Sequence, residues 1–301
     1  MGNSIRRIVV CLDNSSRSDR LGRQAAALAR RLGAGLIGLW SLHRPFPTPA
    51  ETFARGAGAI HEVLEHQAQQ EQALVAAARR AFDALIQPFG APAEFRAAWD
   101  DDPDVTGFAT AGDLIVVGHP RLPGLSEALS ADRLLLRCAR PVLVVPTDWA
   151  GDIGGRVLIG WNGSRAARQA VDDALPLIAA DALATVLVVD QAAPPPSLVE
   201  LTAALQTRGV RTAAKAVDSR AATVTRVIVE TADELDADLV VLGGYSRSPT
   251  VERLFGGVTR SLLAATSRPL LLSHVPDDVR KAIAADRDSG PPPKAGIAPG
   301  D

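Results

Sequence analysis

The chain has two cysteines, five histidines, almost no net charge and no long apolar run, and each scarcity closes off a class of function. Cys11 and Cys138 each lie inside an apolar stretch, IVVCLD and LLLRCARPVLVV. They read as small buried hydrophobes in a reducing compartment, and a thiolate metal site would need a cluster that the sequence lacks. His43, His61, His66, His119 and His274 show no metal-ligand spacing. A net charge of −2 in 301 residues gives no electrostatic attraction to nucleic acid or to an anionic membrane. No apolar stretch approaches the roughly 18 residues that a membrane span requires. The opening MGNSIRRIVV runs directly into a β-branched stretch without a signal-peptide core or cleavage site, so a cytoplasmic protein is expected.

What is present is an ordinary globular composition, 47% apolar and 22% charged, at a length that suits two domains. The sequence repeats itself. RRIVVCLDNSSRSDRLGRQAAALARRLGAGLIGLW, from Arg6 to Trp40, lies over GRVLIGWNGSRAARQAVDDALPLIAADALATVLVVD, from Gly155 to Asp190. Each copy is a β-branched run, a polar turn, a helix and another apolar run. Asn14, Ser15 and Ser16 in one turn, and Asn162 and Ser164 in the other, are suited to cap the helix that follows. Ala25, Leu28 and Ala29, and likewise Ala170, Ala174 and Leu177, recur at helical spacing. The arginines between Arg17 and Arg31 are expected on the solvated face of the first helix.

The copies also end alike. Asp113-Leu-Ile-Val-Val-Gly118 answers Asp238-Leu-Val-Val-Leu-Gly243, and the run from Arg140 to Pro146 answers that from Arg268 to His274. Apolar runs closed by Gly or Pro are what strands buried on both faces look like, and their alternation with helices predicts right-handed parallel βαβ units. The predicted class is therefore α/β: two tandem doubly wound domains with mainly parallel five-stranded sheets. The limits expected are 1–148 and 155–277, with 278–301 (ending SGPPPKAGIAPGD) a disordered tail. Copy one is longer between His43 and Gly90, which is read as a longer crossover, an added lid being the alternative.

In such sheets a ligand sits at the carboxyl ends of the strands. Copy two brings three candidates there: Asn162 after its first strand, Val189 at the end of its second, and Gly243 after its fourth. The loop following Gly243 contains Ser246 and runs to Gly256, Gly257, Val258 and Thr259 at a helix start, where free N–H groups and the positive dipole end suit a phosphate. Ser246 and Thr259 add hydroxyls. Copy one offers Asp13 and Gly118, but Ala131 and Asp132 fall where Gly256 and Gly257 fall, and a carboxylate there repels phosphate. Asp101, Asp102 and Asp104 read as a loop or helix start, not a metal site. No nucleophile elbow or kinase signature is present, so no catalytic residue is assigned.

The segments LIGWNGSRAARQAVDDALPLI and LGGYSRSPTVERLFGGVTRSLLAATSRPLLLSHVP make the chain resemble a tandem universal stress protein, with two UspA-type domains in one polypeptide. The resemblance covers most of 5–146 and 155–275. It implies an adenine nucleotide α-hydrolase-like fold and a phosphate motif Gly-x2-Gly-x9-Gly-(Ser/Thr). Gly243 and Gly256 match the first and third glycines, Ser246 stands in place of the second, and Gly257 stands where Ser or Thr belongs. Asn162 replaces the family's aspartate, and Val189 would lie against adenine. The resemblance further implies a stress-response protein that binds ATP or another adenine nucleotide in copy two, with Mg as an accompanying ion. It also implies that the two domains pair through their last strands, with a homodimer as a further partner. Two alternatives stay open: an interaction scaffold of the same family that binds no nucleotide, and a slow ATPase or nucleotidyl transferase.

Overall fold

Strands with Val, Ile and Leu on both faces are stable only where both faces are covered, and the chain meets that demand by laying helices over one long sheet. The computed structural model describes residues 4–44, 57–90, 92–100, 102, 105–191, 195–219, 222–243, 257–265 and 267–273. The first half runs β1 (Arg7–Leu12), α1 (Ser16–Leu32), β2 (Gly35–Leu42), α2 (Ala57–Ile86), β3 (Ala93–Trp99), α3 (Val105–Ala109), β4 (Leu114–His119), α4 (Ala131–Arg137) and β5 (Val142–Pro146). The second runs β6 (Arg156–Gly160), α5 (Arg165–Ala174), β7 (Leu183–Val189), α6 (Ser197–Gln206), β8 (Arg211–Val217), α7 (Val224–Glu234), β9 (Leu239–Gly243), α8 (Gly257–Ala265) and β10 (Leu270–Ser273). This is the doubly wound α/β class that the alternating runs predict.

The strand order is β3-β2-β1-β4-β5-β10-β9-β6-β7-β8. Each half contributes five parallel strands, and the halves meet where β5 and β10 pair antiparallel, Leu270 opposite Val144 and Leu272 opposite Val142. The central strands are fully enclosed, Ile8 to Leu12 and Val142 to Val145 among them. The aspartate that opens each matched Asp-Leu run ties the sheet together at the opposite end. Asp113 accepts the backbone N–H groups of Arg6 and Arg7, at 2.9 and 3.1 Å. Asp238 accepts those of Gly154, Gly155 and Arg156, at 2.8, 3.1 and 2.9 Å.

The arginine face of α1 departs from expectation. Arg31 donates to the carbonyls of Ile153, at 2.5 Å, and Leu177, at 3.0 Å, while Arg20 reaches the carbonyl of Asp148 at 3.0 Å. These side chains clamp the linker and the second half, because the carbonyls of Asp148, Ile153 and Leu177 are acceptors that a guanidinium satisfies. Gly154 completes the turn with φ +101°, and a Cβ there would stand 1.9 Å from the Leu177 oxygen.

The surplus of copy one is α2, a 30-residue helix that connects β2 to β3 as a crossover. Its final turns bury Ala78, Phe82 and Leu85. They sit so low because Gly38 leaves room for the Phe82 ring, which a Cβ would meet at 2.2 Å. The earlier turns rise off the sheet, and Ile60 and Leu64 are 50% and 58% exposed.

Replacing Arg31 by Met is expected to lower unfolding stability by about 1–2 kcal/mol in urea titrations through loss of two charge-assisted hydrogen bonds. Arg23→Met, on the same helix, should change it by less than about 0.5 kcal/mol. Equal effects of the two would remove the clamp.

Candidate functional site

The carboxyl ends of the strands are closed in the first half. Asp13 follows β1 and is buried, 1% exposed. Its Oδ1 accepts the Ser15 backbone N–H at 2.9 Å and the hydroxyls of Ser15 and Ser18 at 2.6 and 2.7 Å. Its Oδ2 accepts the backbone N–H of Gly124 at 2.6 Å. Burial by itself pushes this carboxyl up, but the Ser15 and Ser18 hydroxyls and the two backbone donors outweigh it and hold it below the ordinary carboxylate range.

Gly124 belongs to the loop after β4. That loop buries Leu122, Leu125 and Leu129 and hangs on β2 as well, the Ser126 N–H donating to the Ser41 hydroxyl at 3.1 Å. Asn14, next in the chain, accepts from the Trp40 indole at 2.8 Å. The crevice of copy one is thus filled by the chain's own loop, and its carboxylate is spent on that loop. The expected repulsion at Ala131 and Asp132, which open α4, is a lesser matter beside it. Ser15 caps α1 without a side-chain hydrogen bond to the helix, since its hydroxyl is turned to Asp13.

The second half is arranged differently. Ser164 caps α5 properly, its Oγ accepting the Ala167 N–H at 3.2 Å. Asn162 Oδ1 accepts the Ser164 N–H at 3.0 Å, and its amide nitrogen has no partner among the described residues. The side chain is exposed. The register pairs Gly160 with Leu187, which sets Asn162 and Val189 at the same level two residues farther on, and Val189 is half-buried. Ile159 pairs with Val241, so Gly243 ends β9 at the level of Trp161. At Gly243 the chain presses against the start of α5: a Cβ would stand 2.4 Å from the Ala166 carbonyl carbon and 2.6 Å from the Ala167 nitrogen. Only glycine permits that approach. Gly118, the corresponding residue of copy one, faces a side chain at 3.0 Å instead.

Of the expected site residues, Asn162, Val189 and Gly243 are therefore brought to one end of the sheet. Gly257, Val258 and Thr259 form the backbone of the first turn of α8. Ser246 and Gly256 lie outside the described residues, as do Asp101 and Asp104 and the segment 278–301. The sequence offers no hint of the Gly124 contact with Asp13, because its two residues are far apart in the chain. Trp161 was also unforeseen: its indole N–H is buried and has no partner among the described residues. Beside Asp190, which follows Val189 with φ +55°, the Ser219 N–H and hydroxyl each donate to the carboxylate at 2.7 Å and fix the β7–β8 exit.

Among the described residues no group of His, Cys, Asp and Glu is placed to hold a metal ion, and no helix is long and apolar enough to cross a membrane. Both cysteines are free and buried. Desolvation pushes the Cys138 thiol up to about 11 and the Cys11 thiol higher still, as expected of packing residues.

The family model described as the universal stress protein family matches residues 4–146 and 155–274. No curated protein matches the chain. Among solved structures, a universal stress protein from Archaeoglobus fulgidus is 16% identical, with 92% of this chain and 98% of that one covered and a TM-score of 0.61. A functionally unknown protein from Pseudomonas aeruginosa is 18% identical, with 95% and 98% covered and a TM-score of 0.51. At these identities the likeness is one of fold.

Asp13→Asn is expected to cost about 1–3 kcal/mol at neutral pH, since an amide cannot accept from four donors. Because the folded Asp13 value lies below the unfolded one of about 3.9, its contribution is complete above that pH and fades as acid passes through the folded value. Urea midpoints should show the gap between wild type and variant narrowing below about pH 4, and a gap that widens in acid would contradict the assignment.

Proposed function

The chain belongs to the universal stress protein family, and we propose that it is a cytoplasmic binding protein for an adenine nucleotide whose working site is in the second domain. The asymmetry between the two strand-end crevices carries this reading. In the first, four donors and three leucines occupy the space a ligand would need. In the second, the Asn162 amide nitrogen has no partner among the described residues and lies at the level of a half-exposed Val189, with a glycine-only contact at Gly243.

The residues present fit such a ligand. Val189 offers an apolar surface for a purine ring, and the Asn162 amide donates to a ribose hydroxyl without contributing charge. In this reading the glycine-rich run Gly256, Gly257, Val258 and Thr259 would supply backbone N–H groups and the favourable end of the helix dipole to a phosphate, and Ser246 and Thr259 would supply hydroxyls. Mg, when bound with ATP, would offset phosphate charge. No general base or nucleophile is assigned, so the reading is a binding protein and not a turnover enzyme. The domains are taken as 1–148 and 155–277, the first serving as a packing partner with a closed site.

A second reading, an interaction scaffold without nucleotide, is favoured by Ser246, whose Cβ stands where the family motif has glycine.

Isothermal titration of the full chain with ATP and Mg is expected to give saturable binding of one nucleotide. Asn162→Ala should weaken it about five- to tenfold, the worth of one hydrogen bond. Gly256→Glu should abolish it, while Asn14→Ala in the first domain should leave it unchanged. No heat at millimolar ATP, or equal binding by the Gly256→Glu protein, would overturn the nucleotide reading in favour of the scaffold.

A further inference from the structure

A separate concavity lies far along the sheet from the proposed nucleotide site, between α2 and the edge strand β3, with a volume of about 540 Å³. Its origin is legible in local packing. Gly38 and Gly22 admit Phe82 and Leu85, so the last turns of α2 lie on the sheet, and a Cβ at Gly22 would come 2.7 Å from Leu85. About two turns earlier the same face presents Val75, with Gln72 and Ala76 exposed at its flank, and these side chains line the concavity without filling it. A wedge is left open between this part of the helix and β3.

The floor of the wedge is aromatic. Phe95 and Trp99, four residues apart on β3, share one face of the strand. Phe95 is fixed from behind by Trp40 and Phe82, with ring centroids 6.3 and 5.9 Å away. Helix side chains form the opposite wall. A space of this size with an apolar floor and a few polar groups is the form of a small-molecule pocket, within the usual range of about 300–1,000 Å³.

The polar groups say which kind of molecule suits it. Glu71, at the rim, is paired with Arg44 at 2.8 Å, and Arg44 in turn lies over Trp99 at 4.9 Å. Arg79 lies over Phe95 at 5.7 Å. Only its Nε is engaged, with both oxygens of Asp83 at 2.9 and 3.0 Å. Its two terminal nitrogens, and the whole amide of Gln72, have no partner among the described residues. Both charges are paired, Glu71 with Arg44 and Arg79 with Asp83, and the strongest unmet capacity is the pair of terminal guanidinium nitrogens of Arg79, whose fork matches a carboxylate in geometry. A cationic ligand would instead set its charge beside two guanidiniums.

We propose that this wedge is a second ligand site, taking a flat aromatic monocarboxylate whose ring lies against Phe95 and Trp99 and whose carboxylate is bound by Arg79. The ring is held by apolar burial and by stacking near the guanidinium planes, and Gln72 supplies an additional donor. The site is independent of the nucleotide reading, which involves other strands of the other domain.

Titration calorimetry of the full chain with 2-naphthoate, and with the neutral 2-naphthalenemethanol, tests this. Saturable one-to-one binding of naphthoate is expected. Arg79→Gln should weaken naphthoate about tenfold or more while changing the neutral alcohol less than about threefold. Ala76→Leu, which narrows the wedge, should weaken both compounds while the urea midpoint stays within error of wild type. Saturating ATP should leave naphthoate affinity unchanged. The proposal fails if naphthoate does not bind at millimolar concentration, if Arg79→Gln has no effect on it, or if ATP displaces it.

Discussion

A parallel strand covered by helices on both faces can carry only apolar side chains along its length, and polar chemistry is confined to where the strand stops. The proposed nucleotide site follows from that constraint. The runs from Ile8 to Leu12, Leu114 to Val117 and Leu239 to Val241 are enclosed. Asp13, Asn162, Val189 and Gly243 stand just past or at their carboxyl ends. The antiparallel contact of β5 with β10 extends the same economy across the two halves, because it covers two otherwise unpaired strand edges and, among the described residues, leaves β3 and β8 at the margins.

Within this frame the two copies use equivalent positions for opposite purposes. In the first, a carboxylate at the strand end draws in the backbone of a loop more than one hundred residues away and becomes a structural fastening. In the second, an amide at the equivalent position turns back on its own helix cap and keeps its nitrogen available. The difference between Asp13 and Asn162 is thus one of partners. A buried carboxylate needs several donors to offset desolvation, and the loop supplies one of them; a neutral amide at the surface has no such requirement.

The margins carry their own consequence. The crossover in copy one is a 30-residue helix where copy two uses the ten residues of α6, and a long helix cannot follow a twisted sheet over its whole length. Its end is seated by glycines and its beginning stands clear, which creates the aromatic wedge beside β3. Duplication thus produced one half whose strand-end crevice is filled and whose edge is opened.

The repeat, the α/β class, the strand runs and the helix caps near Ser15 and Ser164 were legible in the sequence, since burial on both faces and capping depend on residues close together in the chain. So was the difference between copies, because Asn162 and the glycines of the second loop can be read directly. The reason that copy one is closed was not legible, nor was the role of Arg20 and Arg31, which looked like a solvated face and prove to clamp the linker. Each of those contacts joins side chains to backbone groups over 100 positions away, and a sequence records no such distance. Local pattern determined the elements and the ends at which chemistry is possible. Tertiary structure alone decided which end is filled, because filling depends on hydrogen-bond partners and free volume that exist only once the chain has closed on itself.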